Sequence, residues 1–351
     1  MPYEDDARAQ IARQTLLRAK TPLCAMNFAP FEAQLATLSE ARKSWLDGVL
    51  RSESVAGLLR LLASESLTSV ELVLACVQRI KQFSWLRAVV ALNPHALELA
   101  RSADKARVAP LRGSPLRGIP VLLKDNIGTG DGMPNTAGAA ALQNVACDRD
   151  AFLVQRIRAA GGIPIGKTNL SEWANFFADS ERGKPPNGFS AMGGQTRNPY
   201  GGFDVGGSSS GSASAVAAAL VPVAVGTETH GSIIFPALRN SVCGLKPSLG
   251  LVSRDRIIPI TDATDTAGPI ARSMTDLCML MDALTGFDAR DPACVLTSLS
   301  APLAHQQTFA ACLRADGLAG VRVGVLHGSD GRAGSDTLLH AARGALLRAG
   351  A

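Results

Sequence analysis

The sequence predicts an α/β fold with a mixed, largely parallel β-sheet. Short apolar runs bounded by glycine, proline or polar residues alternate with segments whose apolar residues recur at helical spacing. This repeated alternation of helix and strand favours parallel strands joined by helices. The chain has 351 residues, of which 46% are hydrophobic and 19% charged. It can therefore bury a large core, in one large or two ordinary domains.

The beginning of the chain carries a weaker pattern than the rest. Residues 1–52 are only weakly helical in pattern, and Pro22 and Pro30 interrupt them. We assign them no function. The apolar periodicity becomes clear from Val55 onward. We therefore predict an N-terminal extension over residues 1–52 and the folded domain over residues 53–351.

A layer of helices is predicted next. Apolar residues follow helical spacing over residues 55–83. Thr68, with Glu71 three positions later, predicts a new helix start near Thr68, because this pair is typical of a capping box. A third helix is predicted over residues 95–106.

A short buried strand is predicted within residues 116–126, LRGIPVLLKDN. Its apolar run is bounded by glycine, proline and polar residues, and it ends on Lys124. A lysine at a strand end can simply extend its amine to solvent. Local sequence therefore leaves a structural and a catalytic role of Lys124 equally open.

Helices and strands continue to alternate along the rest of the chain. A long polar loop is predicted over residues 179–203, and loops of that length are usually functional. The predicted helices cover residues 152–160, 170–177, 213–220, 275–285 and 337–349, and the predicted strands cover residues 162–167, 221–227, 242–247 and 321–325.

Composition argues against several classes of protein. The chain has 35 Lys and Arg against 30 Asp and Glu, with no run of five like charges, so nucleic-acid binding is not indicated. Seven scattered cysteines without a C-x-x-C pair favour reduced thiols in the cytoplasm over disulfides or a zinc site. The acidic N-terminus argues against a signal peptide, and no apolar run reaches the ~18 residues of a membrane span.

One motif imitates a nucleotide-binding loop. Residues 161–168, GGIPIGKT, match the phosphate-loop pattern letter for letter. That motif requires a strand before the loop and free backbone donors within it. Here a helix is predicted before it, and Ile163-Pro164-Ile165 is predicted as strand, with one donor removed by Pro164. We therefore expect no nucleotide site here.

A second motif imitates a hydrolase nucleophile elbow. Residues 207–211, GSSSG, place Ser209 at the centre of G-x-S-x-G. An elbow requires a buried strand running directly into the turn, whereas the preceding NPYGGFDVG is predicted as loop. We therefore do not expect Ser209 to be the nucleophile of a Ser-His-Asp hydrolase.

A third combination joins Lys124 with Ser208 and Ser232. Serine becomes a good nucleophile when a base removes its proton, and burial can lower the pKa of a lysine enough for it to serve as that base. Glycines beside both serines allow N–H groups to converge on an oxyanion. A plainer alternative for Ser232 is that it caps the helix that follows.

At these residues the chain resembles the amidase signature family, in its peptide-amidase-like branch. The resemblance covers roughly residue 55 to the end and is specific because many segments agree in order and spacing. These segments are GIPVLLKDN, GKTNLSEWANF, GGQTRNPY, GGSSSGSASAVAA, VAVGTETHGSI, CGLKPSLGLVSR and DTAGPIARSMTD. It implies a mixed β-sheet core covered by helices on both faces.

The resemblance also implies a Ser–cis-Ser–Lys triad that hydrolyses amides. Ser232 corresponds to the nucleophile, Ser208 to the relay serine beside a cis peptide bond, and Lys124 to the base. The backbone N–H groups of residues 229–232, Thr229, His230, Gly231 and Ser232, correspond to the oxyanion hole. A carboxamide substrate, small or a C-terminal peptide amide, would give a carboxylate plus ammonia or an amine through an acyl-enzyme. No metal or organic cofactor, nucleic acid or membrane partner is implied, and the oligomeric state is left open.

The chain departs from the family pattern at two positions. His230 stands where the family usually has Gly or Asp, and we favour a spacer role for it over a new base. Ile234 stands where many relatives, including tRNA-dependent amidotransferase subunits, carry Arg. This argues against an amidotransferase subunit.

The chain also stops earlier than its family. Relatives usually continue past Ala351 with further strands and pocket residues. We therefore expect the C-terminal part of the family domain to be missing. The alternative to an active amidase is a truncated, catalytically impaired relative.

Overall fold

A six-stranded β-sheet forms the centre of the chain in the computed structural model, which describes residues 22–106, 115–176, 186–300, 308–325 and 335–351. The strands are β1 (Val89–Leu92), β2 (Pro120–Lys124), β3 (Ile163–Thr168), β4 (Phe189–Ser190), β5 (Gly194–Gln195), β6 (Val223–Glu228), β7 (Cys243–Gly244) and β8 (Thr266–Ala271). Strands β4 and β5 form a separate small hairpin.

Eleven α-helices lie within the described residues. They are α1 (Ala29–Thr37), α2 (Glu40–Ser52), α3 (Val55–Ala63), α4 (Ser69–Gln82), α5 (Ala96–Lys105), α6 (Phe152–Ala159), α7 (Ser210–Ala217), α8 (Ile234–Arg239), α9 (Met274–Leu284), α10 (Pro292–Ser300) and α11 (Ser335–Arg348). The predicted mixed α/β architecture is confirmed.

The strand order in the sheet is β1-β3-β2-β6-β8-β7. Strand β2 is parallel to both of its neighbours, β3 and β6. The other three pairs, β1 with β3, β6 with β8 and β7 with β8, are antiparallel. The sheet is therefore mixed as predicted, but the expectation that it is largely parallel is wrong.

Helices pack on both faces of this sheet. Helix α7 packs across β1, β2, β3, β6 and β8, with α8 beside it. Helices α4, α5, α6 and α9 pack against one another and against strands of the same sheet. Every residue of β2, β3, β6 and β8 is consequently buried. A polar side chain at the end of one of these strands is thereby held away from solvent.

The N-terminal helices join this core. Phe31 of α1 and Leu50 of α2 are completely buried, and both helices pack on α4. Helix α4 starts where predicted: the Thr68 hydroxyl accepts from the N–H of Glu71, and the Glu71 carboxylate accepts from the N–H of Thr68. The boundary between residues 52 and 53 stays a prediction.

Three predicted elements differ within the described residues. The loop expected over 179–203, of which 179–185 lie outside the described residues, contains the β4–β5 hairpin. The helix expected over residues 170–177 is only a 3-10 turn over Glu172–Asn175, in which Trp173 and Ala174 have φ of 50° and 53°. The N–H of Trp173 donates to Ala137 O, which draws the backbone out of a helical path. The strand expected at 321–325 is absent from the described strands, because these residues have no regular secondary structure.

Residues 1–304 and 305–351 form two compact units. In the second unit, the N–H of Gly320 donates to Gly350 O next to the end of α11. The described helices include none that is long and apolar enough to cross a membrane. The described residues also contain no cluster of His, Cys, Asp and Glu suited to a metal ion.

Candidate active site

Lys124 lies at the end of β2 and is completely buried. Its Nζ atom lies 2.7 Å from Ser208 Oγ, 2.8 Å from Thr227 Oγ1 and 3.1 Å from Thr227 O. Burial lowers the pKa of Lys124 to about 7, while the negative charges of Glu228 and Asp265 act in the opposite direction. The amine can therefore exchange a proton near neutral pH.

Thr227 and Asn126 complete the surroundings of this amine, and sequence analysis assigned neither of them a role. Strand β6 runs parallel to β2 and brings both oxygens of Thr227 to Lys124. The Asn126 side-chain amide donates to Thr227 Oγ1 at 3.0 Å. The two N–H bonds of a neutral amine can point at Thr227, which leaves its lone pair for Ser208.

Ser208 lies in the turn that leads into α7 and is completely buried. The peptide bond between Gly207 and Ser208 is cis. The carbonyl of Ser208 accepts from the N–H of Ser171 at 3.0 Å. The Ser208 side chain therefore faces Lys124 from a backbone that is fixed on the other side.

Ser232 lies next to this turn. Its carbonyl accepts from the N–H of Ser209 at 3.0 Å, so its backbone is bonded to the residue that follows Ser208. Ser232 as a whole residue is 8% exposed, whereas Ser208 is wholly buried. Helix α8 has Ile233 at its N-cap and no side-chain capping bond, so the alternative in which Ser232 caps that helix is not observed.

In the loop before Ser232, one of the N–H groups expected to form the oxyanion hole already has an acceptor. The N–H of Gly231 donates to Glu228 Oε1 at 2.7 Å, so it is already occupied. In the described part of the chain, the N–H groups of Thr229, His230 and Ser232 donate to no protein acceptor. The oxyanion hole stays a prediction, and these three N–H groups are the ones without a protein acceptor in the described residues. The side chain of His230 is exposed, which is compatible with a spacer role.

The first of the two imitating motifs forms no phosphate loop. Residues Ile163–Thr168 form β3, as predicted. The amine of Lys167 is buried and donates to Ile127 O at 2.5 Å and to Pro134 O at 3.1 Å. Burial raises the pKa of Asp125 to about 6, and the positive charge of Lys167 opposes this rise. Lys167 therefore holds the loop after β2 instead of a phosphate.

Ser209, the centre of G-x-S-x-G, has a structural environment. Its hydroxyl donates to Thr227 O at 3.0 Å and accepts from the N–H of Thr227 at 3.2 Å. The described residues just before it, 196–206, contain no strand. The expectation that no nucleophile elbow forms here is confirmed.

A cavity of about 250 Å³ opens beside these residues. Its lining includes Asn126 and Thr227, which belong to the Lys124 network, together with Glu228, Thr229 and residues 257–262. A neighbouring cavity of about 120 Å³ shares Asn126 and Ala174 and adds the aromatic side chains of Trp173 and Phe176. The site therefore has space for a small ligand next to the Lys124 network.

Similar proteins share this chain's sequence over most of its length. A probable amidase of Arabidopsis thaliana is 40% identical over 301 residues, which are 84% of this chain and 54% of that protein. A glutamyl-tRNA(Gln) amidotransferase subunit of Deinococcus radiodurans is 37% identical over 298 residues, 85% of this chain and 57% of that protein. The chain spans about half the length of such curated relatives.

Solved structures agree with this comparison. An amidase family protein of Bacillus anthracis matches with a TM-score of 0.85 and 36% identity, covering 92% of this chain and 63% of the other. The peptide amidase of Stenotrophomonas maltophilia matches with a TM-score of 0.77 and 44% identity, covering 85% and 61%. The amidase family model matches residues 71–346. The predicted resemblance is confirmed, and the chain belongs to the amidase family.

Proposed function

We propose that this chain hydrolyses carboxamides by means of Ser232, Ser208 and Lys124. The observation that carries the proposal is the fully buried Lys124, whose Nζ atom lies 2.7 Å from Ser208 Oγ. Burial lowers the pKa of this amine to about 7, in the range suited to a general base at neutral pH. The carbonyl of Ser232 is bonded to the N–H of Ser209, the residue after Ser208, and Ser232 is more exposed than Ser208.

The reaction begins with a proton relay. The Ser232 hydroxyl gives its proton to Ser208, and Ser208 gives its own to the neutral Lys124. Ser232 Oγ then forms a bond to the amide carbon, and the carbonyl π electrons move onto the oxygen. When the tetrahedral intermediate collapses, the C–N bond breaks and the relay returns the proton to the departing nitrogen. Water repeats these steps on the ester and releases the carboxylate.

The negative oxygen of the tetrahedral intermediate needs hydrogen-bond donors. We assign this role to the backbone N–H groups of Thr229, His230 and Ser232, which have no other acceptor in the described residues. Donors aimed at the developing charge lower the barrier most, because they need no reorganisation during the reaction. Thr229 also lines the larger cavity.

Relatives and the cavities support a proposal for the substrate class. One matching structure is named a peptide amidase, which favours C-terminal peptide amides. The cavity beside Trp173 and Phe176 would accept an apolar side chain. The scattered cysteines, all seven of which are free thiols, support the further proposal of a cytoplasmic location.

A second candidate is an amidotransferase subunit, because several curated relatives bear that name. Ile234 stands where such subunits commonly carry Arg. This candidate predicts glutaminase activity and a copurifying partner, and an amidase requires neither.

An activity-based probe tests the proposed function. We expect a fluorophosphonate to label the wild-type chain at Ser232 and to leave Ser232→Ala unlabelled, because the probe reacts with an activated serine hydroxyl. Lys124→Ala should lower the labelling rate by at least about 100-fold, since general-base help is worth about 10²–10⁴ in rate. Ser209→Ala serves as the matched control within the same turn.

Hydrolysis of a panel of peptide amides, aryl amides and glutamine then identifies the substrate. Equal labelling of wild type and Ser232→Ala would contradict the proposal. Folded wild-type chain that neither reacts with the probe nor hydrolyses any amide would favour the catalytically impaired alternative.

A further inference from the structure

Glu228 is a buried carboxylate that the proposed relay does not use. It ends β6 and is 5% exposed. Its Oε1 atom accepts from the N–H of Gly231 at 2.7 Å. Its Oε2 atom accepts from the N–H of Ile233 at 2.6 Å and of Ile234 at 2.9 Å. Bonds between N–H groups and a carboxylate are roughly twice as strong as bonds between neutral groups.

These three bonds fold the loop around the carboxylate. Gly231 and Ile233 flank Ser232 in the chain, and both direct their N–H groups to Glu228. The carbonyl of Ser232 is bonded in addition by the N–H of Ser209. Gly231 has a φ of 78°, which glycine adopts without penalty. The backbone of Ser232 is thus fixed from both sides.

The same carboxylate acts on Lys124. Burial lowers the pKa of Lys124, and the negative charge of Glu228 is the larger of two opposing influences, the other being Asp265 before β8. Asp265 accepts from the Thr229 hydroxyl and from the N–H groups of Ile260 and Thr261. Asp125 follows Lys124 in the chain and interacts with Lys167. Burial raises the pKa of Asp125 and lowers that of Lys167, and the charge of each residue opposes the shift of the other.

We propose that Glu228 is a positioning residue, which holds the loop of Ser232 in the attacking geometry and places a negative charge in the surroundings of Lys124. This inference rests on the proposed amide hydrolysis. It assigns Glu228 two separable effects, one through hydrogen bonds and one through charge. Two variants separate them, because glutamine keeps the length of the side chain and aspartate keeps its charge.

The pH profile measures the charge effect. A base must be neutral to accept a proton, so kcat/KM should rise as pH rises through the pKa of Lys124. In Glu228→Gln that pKa falls further, and the acid limb of the profile should move to lower pH. In Glu228→Asp the limb should stay close to that of the wild type. If Glu228 had only a structural role, the acid limb of both variants would stay at the pH of the wild type.

Rate and exchange measure the positioning effect. In both variants kcat should fall by about 100-fold with little change in KM, the loss that a displacement of about 1 Å can cause. Amide hydrogen exchange of a peptide spanning residues 229–235 should accelerate. Asp276→Asn is the matched control, because Asp276 is a buried carboxylate that accepts a backbone N–H, that of Val55, elsewhere in the fold. It should leave both readouts as in the wild type.

The outcomes are distinct. An active Glu228→Gln variant with wild-type acid limb and wild-type exchange overturns the inference. Should Glu228→Gln fail to fold, Glu228→Asp decides, and its unchanged exchange and kcat would overturn the positioning role. If the wild-type chain hydrolyses no amide, the proposed function fails. Amide hydrogen exchange of residues 229–235 then tests by itself whether Glu228 holds the loop.

Discussion

Lys124 couples the chemistry of the site to the stability of the fold. In the unfolded chain its amine has the ordinary pKa of 10.5, and in the folded chain burial lowers that pKa to about 7. Between these two values the unfolded state binds more protons than the folded state, so the free energy of unfolding rises with pH. Above pH 10.5 the amine is neutral in both states, so no penalty for burying its charge remains. Below about pH 7 it is charged in both states, and the full penalty destabilises the fold.

Lys124→Met removes this titration and so changes how stability depends on pH. We expect the stability of the wild type relative to Lys124→Met to fall as pH decreases from about 10 to about 7 and then to level off. Urea denaturation at a series of pH values measures the difference. Lys105→Met, at an exposed position of α5, should keep the wild-type slope. A constant difference between wild type and Lys124→Met across this range would contradict the lowered pKa.

Sequence singled out some residues of the candidate site and missed others for a physical reason. Lys124 was detectable because a charged residue ended a buried apolar run, and Ser208 and Ser232 because glycines flanked them. Glu228 and Thr227 carried no such signal. Glu228 accepts from backbone N–H groups and Thr227 from the side chains of Lys124 and Asn126, and only the fold brings these atoms together. The occupied N–H of Gly231 was unpredictable for the same reason.

Helix α4 shows how a local signal can place an element. The Thr68 hydroxyl and the Glu71 carboxylate satisfy each other's backbone N–H groups. The guanidinium of Arg42 on α2 also donates to the Glu71 carboxylate, from Nε at 2.8 Å. The cap therefore connects the start of α4 to a neighbouring helix as well as stabilising it.

Thr68→Ala should lower the free energy of unfolding by about 1 kcal/mol, the usual cost of removing an N-cap hydroxyl. Thr68→Ser keeps the hydroxyl and should remain within a few tenths of a kcal/mol of the wild type. Chemical denaturation followed by circular dichroism measures both. Equal losses in the two variants would mean that the methyl group of Thr68 matters and the cap does not.

Other elements depended on contacts that the sequence does not display. Residues 170–177 are helical in pattern, but the hydrogen bond from Trp173 to Ala137 overrides that propensity. Strand β1 (Val89–Leu92) has four residues and lies between helices, so no prediction singled it out. Strand β8 contains Gly268 and Pro269. These residues are uncommon inside strands, so β8 was not predicted either.

These missed strands explain the error in the sheet as a whole. Alternation of helix and strand predicted parallel neighbours, and β2 does have parallel neighbours on both sides. Strands β1 and β8 add antiparallel pairs to β3 and β6. The parallel centre still brings the ends of β2 and β6 together, which is the feature that places Lys124 beside Thr227. The proximity of Lys124 and Thr227 thus depends on the parallel centre alone and not on the antiparallel strands that prediction missed.

The core extends into the part of the chain that was predicted to be an extension. Leu50 of α2 is completely buried, and the carbonyl of Leu50 accepts from the Arg272 side chain, 222 positions later, at 2.8 Å. Leu50→Ala should therefore lower the free energy of unfolding by about 2–5 kcal/mol. Leu50→Met conserves volume and should cost less than about 1.5 kcal/mol. A loss below about 1 kcal/mol in Leu50→Ala, measured by urea denaturation, would show instead that α2 contributes little to the stability of the core.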